Sequence, residues 1–194
     1  MHNRIREILK QYWGYDEFRS LQEEIILSVL EGKDTLALMP TGGGKSITYQ
    51  VPALVLEGIC LVVTPLIALM KDQVEELQKR GIVAEAIYTG MGKEQVESTL
   101  NKAIAGKIKF LYVSPERLAS ERFRARLKQM HLSMLAVDEA HCISQWGHDF
   151  RPVYTSLRCV KEKFCNVPVM ALTATADRLT RNDIAIALGL DNPY

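Results

Sequence analysis

The sequence predicts an α/β fold: a mainly parallel, twisted sheet with helices on both faces, preceded by N-terminal helices. Three observations carry this. Short apolar, β-branched runs recur near 35–39, 59–64, 84–88, 109–114, 133–138 and 168–173, each followed by an amphipathic stretch. The runs are continuously apolar, as strands covered on both faces are. Strands alternating with helices imply right-handed crossovers between parallel neighbours. At 194 residues and 47% hydrophobic content the chain is large enough for one full core, so a single domain over 1–194 is expected.

The elements follow in order. Ile5, Ile8, Leu9, Tyr12 and Trp13 have helical spacing, and Gly14 ends that helix. Asp16 is placed to cap a second helix, which runs through Ile25, Ile26, Val29 and Leu30 to Gly32, so residues 1–32 form an N-terminal helical pair. Further helices are expected near 45–57, 66–80, 93–105, 116–129, 154–164 and 177–188. No apolar run approaches the ~20 residues that span a bilayer. The start lacks a secretory apolar core, so a soluble intracellular protein without a membrane partner is expected. Cys60, Cys142, Cys159 and Cys165 form no CxxC pair, and reduced, mostly buried thiols are expected. The formal charge of +1 neither favours nor excludes a nucleic acid. The basic stretch Arg117 to Lys128 reads as a solvated helix face.

Two stretches carry chemistry. Residues 39–46 read Met-Pro-Thr-Gly-Gly-Gly-Lys-Ser between a strand and a helix. Thr41, Gly42, Gly43 and Gly44 then form a turn whose backbone N–H groups and helix N-terminus cradle phosphate. Lys45 reaches the β- and γ-phosphates, and the Ser46 hydroxyl ligates Mg²⁺. The P-loop pattern asks for glycine where this chain has Met39. The second stretch, 138–151, reads Asp-Glu-Ala-His-Cys-Ile-Ser-Gln-Trp-Gly-His-Asp-Phe-Arg. It joins two carboxylates at a strand end to side chains suited to stacking on bases and gripping phosphates. Trp146 has a second reading as a core anchor.

With these motifs in hand, the chain resembles the first RecA-like motor domain of RecQ-family DNA helicases, in helicase superfamily two. The likeness rests on GYDEFRSLQ at 14–22, MPTGGGKS at 39–46, TPLIALMKDQV at 64–74, SPERL at 114–118, DEAHCISQWGHDFRP at 138–152 and ALTATA at 171–176. It implies a RecA-like P-loop NTPase fold with ATP and Mg²⁺ as ligands. Tyr15 and Arg19 would stack on adenine and Gln22 would read its edge, although Tyr15 also suits ordinary core packing. Leu21 stands where that motif commonly has glycine, a change expected to matter little. Asp138 would hold Mg²⁺ together with Ser46, and Glu139 would orient or deprotonate the attacking water. His141 would link the γ-phosphate region to 173–175, with a structural histidine as the competing reading.

The same resemblance assigns single-stranded or forked DNA as partner. Contacts and coupling would come from Thr64, Gln73, Gln145, Trp146, His148, Phe150, Arg151, Thr173 and Thr175. It implies 3′ to 5′ translocation and duplex unwinding in repair and recombination, by a monomer in the bacterial cytoplasm at the nucleoid, or in the nucleus of a eukaryote. The second RecA-like, zinc-binding and winged-helix domains of that family would lie beyond Tyr194, leaving this chain with little ATPase activity alone. A non-catalytic nucleotide- or DNA-binding half-motor, another superfamily-two RNA helicase and a small-molecule P-loop enzyme remain as alternatives.

Overall fold

The structure, a computed structural model, describes residues 1–40, 44–144, 151–190 and 193. The strands are β1 (Thr35–Leu38), β2 (Ile59–Val63), β3 (Ala84–Ile87), β4 (Phe110–Val113), β5 (Leu132–Val137) and β6 (Val169–Thr173). They pair in parallel in the order β1-β6-β5-β2-β4-β3. The helices are α1 (His2–Trp13), α2 (Gln22–Leu30), α3 (Lys45–Val55), α4 (Ile67–Lys79) and α5 (Lys93–Ile104). They continue with α6 (Pro115–Leu118), α7 (Glu121–Leu127), α8 (Leu157–Lys163) and α9 (Arg178–Leu188). Among the described residues no helix is long and apolar enough to cross a membrane.

Because successive strand side chains point to opposite faces, the sheet builds two cores. Leu61, Leu111, Leu135 and Ala171 face one way, onto α5, α7, α8 and α9 through Leu100, Phe123, Leu157 and Ile184. Cys60, Tyr112, Met134 and Met170 face the other, onto α2, α3 and α4 through Val29, Tyr49 and Met70. Helix α1 packs outside these layers, with Ile5 and Ile8 against Ile26 and Val51.

Five expectations are corrected. Helix α2 starts at Gln22, not behind Asp16, because Gln22 folds back on the preceding turn: Arg19 N donates to its Oε1 at 2.8 Å. Asp16 instead meets Lys10 at 3.2 Å on the surface. Leu21 adopts a left-handed φ of 70°, so the loss of glycine there does matter; the Cβ clash costs about 1 kcal/mol. The helix expected over 116–129 breaks into α6 and α7 at Ser120, whose hydroxyl accepts from Phe123 N and starts a new helix. The segment expected as a helix from 154 begins as a 3-10 turn, Pro152–Ser156, led by Pro152, before α8. Two of the four thiols, Cys159 and Cys165, are exposed, while Cys60 and Cys142 are buried.

All strands end at one edge, which single hydrogen bonds extend past the sheet. Met39 N donates to Thr173 O at 3.1 Å, Asp138 N to Val63 O at 2.8 Å and Thr64 N to Val113 O at 3.2 Å. Met39 is 4% exposed and fills the core that continues from β1, so glycine is not required there. Strand β6 separates β1 from β5, setting the loop after β1 roughly 10 Å from the loop after β5. A lysine can bridge that gap.

Candidate active site

Lys45 opens α3 directly after Gly44, which takes a φ of 76°. That φ strains any side chain, and an added Cβ at Gly44 would also sit 2.3 Å from Gln22 Nε2 and displace its amide. The Lys45 ammonium stands 3.7 Å from Asp138 Oδ1 and 3.7 Å from Glu139 Oε1, beyond hydrogen-bonding distance of both. The three side chains are only 17%, 13% and 23% exposed. Burial holds the Asp138 carboxyl above the usual carboxylate range; Lys45 pulls it down, and the Glu139 charge pushes it up. Glu139 takes a left-handed φ of 52°, turning the chain sharply after β5 and bringing its carboxylate back toward Lys45.

His141 follows in the 3-10 turn Ala140–Ile143, with Nδ1 2.9 Å from Thr173 Oγ1 and 3.5 Å from Glu139 Oε2. Thr173 donates its hydroxyl proton to Thr175 O at 3.1 Å. Its oxygen must therefore accept from His141, which places the imidazole proton on Nδ1. One histidine thus ties the carboxylate turn after β5 to the end of β6. Lys45, Asp138, Glu139, His141, Thr173 and Thr175 are brought together as expected from the sequence.

On the other side of Lys45 a cavity of about 630 Å³ opens between the N-terminal segment, α3 and α4. Tyr15, Arg19, Gln22, Gly44, Ser46 and Gln73 are among its walls. Tyr15 is 52% exposed on the rim rather than packed in the core. Gln22 is buried, its Nε2 donating to Gly44 O at 3.2 Å, so the amide plane is fixed against the start of α3.

Of two residues expected to contact DNA, one is half-buried and turned inward and the other is buried. Gln73 turns from α4 toward the start of α3, where its Nε2 donates to Ser46 Oγ at 3.1 Å. Thr64 is 3% exposed and its backbone N–H is taken by Val113, because it prolongs β2 into the core. Arg151 is exposed, and its N–H donates to Cys142 O at 2.7 Å. Thr41, Gly42, Gly43, Gln145, Trp146, His148 and Phe150 lie outside the described residues. The stretch read as a solvated basic face keeps Arg122 and Lys128 exposed, while Arg126 binds Glu97 and Asn101 at 2.6 Å each and Arg124 binds Leu118 O at 2.7 Å. Sequence reasoning passed over Tyr49, Gln50 and Tyr112, buried polar side chains behind Ser46. Their signal was a Tyr-Gln pair inside a helix and a tyrosine inside an otherwise apolar strand.

The family model described as DEAD/DEAH box helicase matches residues 19–183. The chain is 50% identical over 185 residues to the ATP-dependent DNA helicase RecQ of Haemophilus influenzae, covering 95% of this chain and 30% of that protein. It is 46% identical over 186 residues to RecQ of Bacillus subtilis, covering 95% and 32%. The chain thus spans about a third of the length of these curated relatives. Among solved structures, a hypothetical ATP-dependent RNA helicase from Sulfolobus tokodaii superimposes with a TM-score of 0.72 at 20% identity, over 100% of this chain and 56% of that one. The DUF1998 helicase MrfA bound to DNA and AMPPNP gives 0.76 at 18%, over 96% and 28%. These two likenesses establish the RecA-like helicase fold.

Proposed function

Because this chain belongs to the DEAD/DEAH box helicase family, we propose that it is the ATP-binding half of a RecQ-type DNA helicase, coupling ATP hydrolysis to 3′ to 5′ movement on single-stranded DNA and to unwinding. The observation that carries the reading is one lysine at the start of a helix, held short of one buried and one half-buried carboxylate. A site of that design gains from a polyanion and a cation arriving together: phosphate takes the lysine, and the carboxylates keep a positive partner. The residues fit Mg²⁺, which favours a hydroxyl, a carboxylate and phosphate oxygens over an all-protein cage.

In this reading Gly44, with Thr41, Gly42 and Gly43, cradles the phosphates and Lys45 neutralises them. Ser46 and Asp138 hold Mg²⁺, which lowers the charge of the phosphates when bound. Glu139 takes the proton of the attacking water, and His141 reports that event to Thr173 and Thr175 through Nδ1. Tyr15 and Arg19 stack on the adenine, and Gln22 pairs with its N6 and N7 edge. DNA is sensed by Gln145, Trp146, His148, Phe150 and Arg151. The Arg151–Cys142 hydrogen bond anchors Arg151 next to the 3-10 turn carrying His141, a short path from strand to water.

The arginine finger, worth ~10³–10⁵ in rate, is supplied from outside these 194 residues. The chain works as one half of a monomeric motor, in the cytoplasm at the nucleoid or in a nucleus. The test compares ATP turnover, with and without single-stranded DNA, for this chain and for one extended to the length of its relatives. The chain alone is expected to bind ATP and turn over slowly, and the extended protein to be DNA-stimulated. Robust DNA-stimulated turnover by the 194 residues would overturn the half-motor reading. Absence of nucleotide binding would overturn the ATP site.

A further inference from the structure

Behind Ser46 lies a chain of buried polar side chains that the reaction above leaves unused. Tyr49 and Gln50 on α3 and Tyr112 on β4 are 1%, 5% and 0% exposed. The Tyr49 hydroxyl donates to Gln73 Oε1 at 2.5 Å and lies 2.8 Å from the Tyr112 hydroxyl. Gln50 Nε2 donates to Tyr112 at 3.2 Å, and Gln73 Nε2 to Ser46 Oγ at 3.1 Å.

A hydroxyl has one proton to give. Tyr49 gives its proton to the Gln73 carbonyl, so Tyr112 must donate to Tyr49, and Gln50 supplies Tyr112. The direction is single: Gln50 to Tyr112 to Tyr49 to Gln73 to Ser46. Burial pushes both phenols well above their ordinary range, so the chain keeps its protons. It ends on one lone pair of Ser46 Oγ. That oxygen retains its second lone pair and its own proton, the combination a metal-binding serine needs beside phosphate.

We infer that Gln73 is a positioning residue for the divalent cation: it sets the rotamer and proton direction of Ser46, and Tyr49 and Tyr112 fix the direction of the Gln73 amide. The inference rests on the ATP reading for a metal–nucleotide at Ser46. It also gives α4, which begins just past Thr64-Pro65 at the strand ends, a one-amide link to the metal ligand.

The test titrates ADP into the 194-residue chain by calorimetry, with Mg²⁺ and with EDTA. The readout is the ratio of the two affinities, and Ser46→Ala sets its floor. Losing one hydrogen bond of ordinary strength corresponds to about a fivefold change. Gln73→Leu is expected to lower the ratio about that much, toward the Ser46→Ala value, and Tyr49→Phe to lower it less. A merely structural network shifts the melting temperature and leaves the ratio at the wild-type value; that result in Gln73→Leu overturns the inference. If Gln73→Leu does not fold, Tyr49→Phe, which loses one oxygen, decides on the same criterion. No ADP binding by the wild-type chain overturns the ATP reading and this inference together, and is distinct from a wild-type ratio that survives substitution.

Discussion

Lys161 and Asp34 meet at the amino edge of the sheet, Lys45 and Asp138 at the carboxyl edge, and the two pairs are built to opposite ends. The Lys161 ammonium lies 3.0 Å from Asp34 Oδ1 and 3.2 Å from Val167 O, while Asp34 Oδ1 also accepts from Val169 N at 3.0 Å. One lysine there serves one carboxylate at bonding distance and clamps α8 onto the starts of β1 and β6. At the other edge one lysine serves two carboxylates, both at 3.7 Å, and one of them is held above its usual range. Similar burial therefore yields a closed clamp in one place and an electrostatically incomplete site in the other. Incompleteness, not the presence of a buried ion pair, is what marks the functional edge.

The comparison breaks first at the clamp. Asp34→Ala leaves Lys161, 14% exposed, without its carboxylate and the Val169 N–H without its acceptor. The cost should be about 3 kcal/mol, lowering the melting temperature by about 10 °C. Nucleotide affinity of the folded fraction should stay at the wild-type value. Scanning calorimetry and an ADP titration check the two halves; lost affinity in folded protein would mean the clamp also shapes the site.

Lys45→Met reverses the profile. It removes a charge-assisted contact to phosphate worth about 2 kcal/mol, so ADP affinity should fall roughly thirtyfold. Melting should drop less than for Asp34→Ala, because Lys45 completes no hydrogen bond to either carboxylate. Unfolding of this variant at room temperature would place Lys45 with Lys161, as a structural cation.

The functional edge was legible in the sequence where its residues are contiguous. The GGGKS run and Asp138-Glu139 announce a phosphate cradle and two carboxylates, and strand ends in a parallel sheet bring them to one side. What was illegible depends on contacts across the fold. Gln73 lies 27 residues from Ser46, and only the packing of α4 against α3 turns its amide inward. The sign of φ at Leu21 is set by the Arg19–Gln22 turn, which no periodicity records. The break between α6 and α7 hangs on one serine hydroxyl finding Phe123 N. The clamp escaped notice because Asp34 and Lys161 are 127 residues apart in stretches read only as a strand start and a helix.

The smallest effect should also have the least familiar sign. Asp138→Asn removes a desolvated charge and its repulsion of Glu139, while the amide oxygen can still accept from Glu139 N, as the carboxylate does at 2.9 Å. Lys45 keeps Glu139 as a partner. In buffer with a chelator the variant should be more stable than wild type at pH 7 by about 1 kcal/mol, or about 3 °C, although it loses its metal ligand. The pH dependence follows from a carboxyl raised in the folded state. Such a group binds its proton more tightly when folded, so wild-type stability is fullest below the unfolded value of about 3.9 and declines as pH rises through the higher folded value. Asparagine has nothing to titrate. The gap in melting temperature should therefore open as pH rises from about 4 to 7 and close on return. A gap independent of pH, or a less stable variant at pH 7, would show that Lys45 fully compensates Asp138 and that the carboxyl edge is as complete as the clamp.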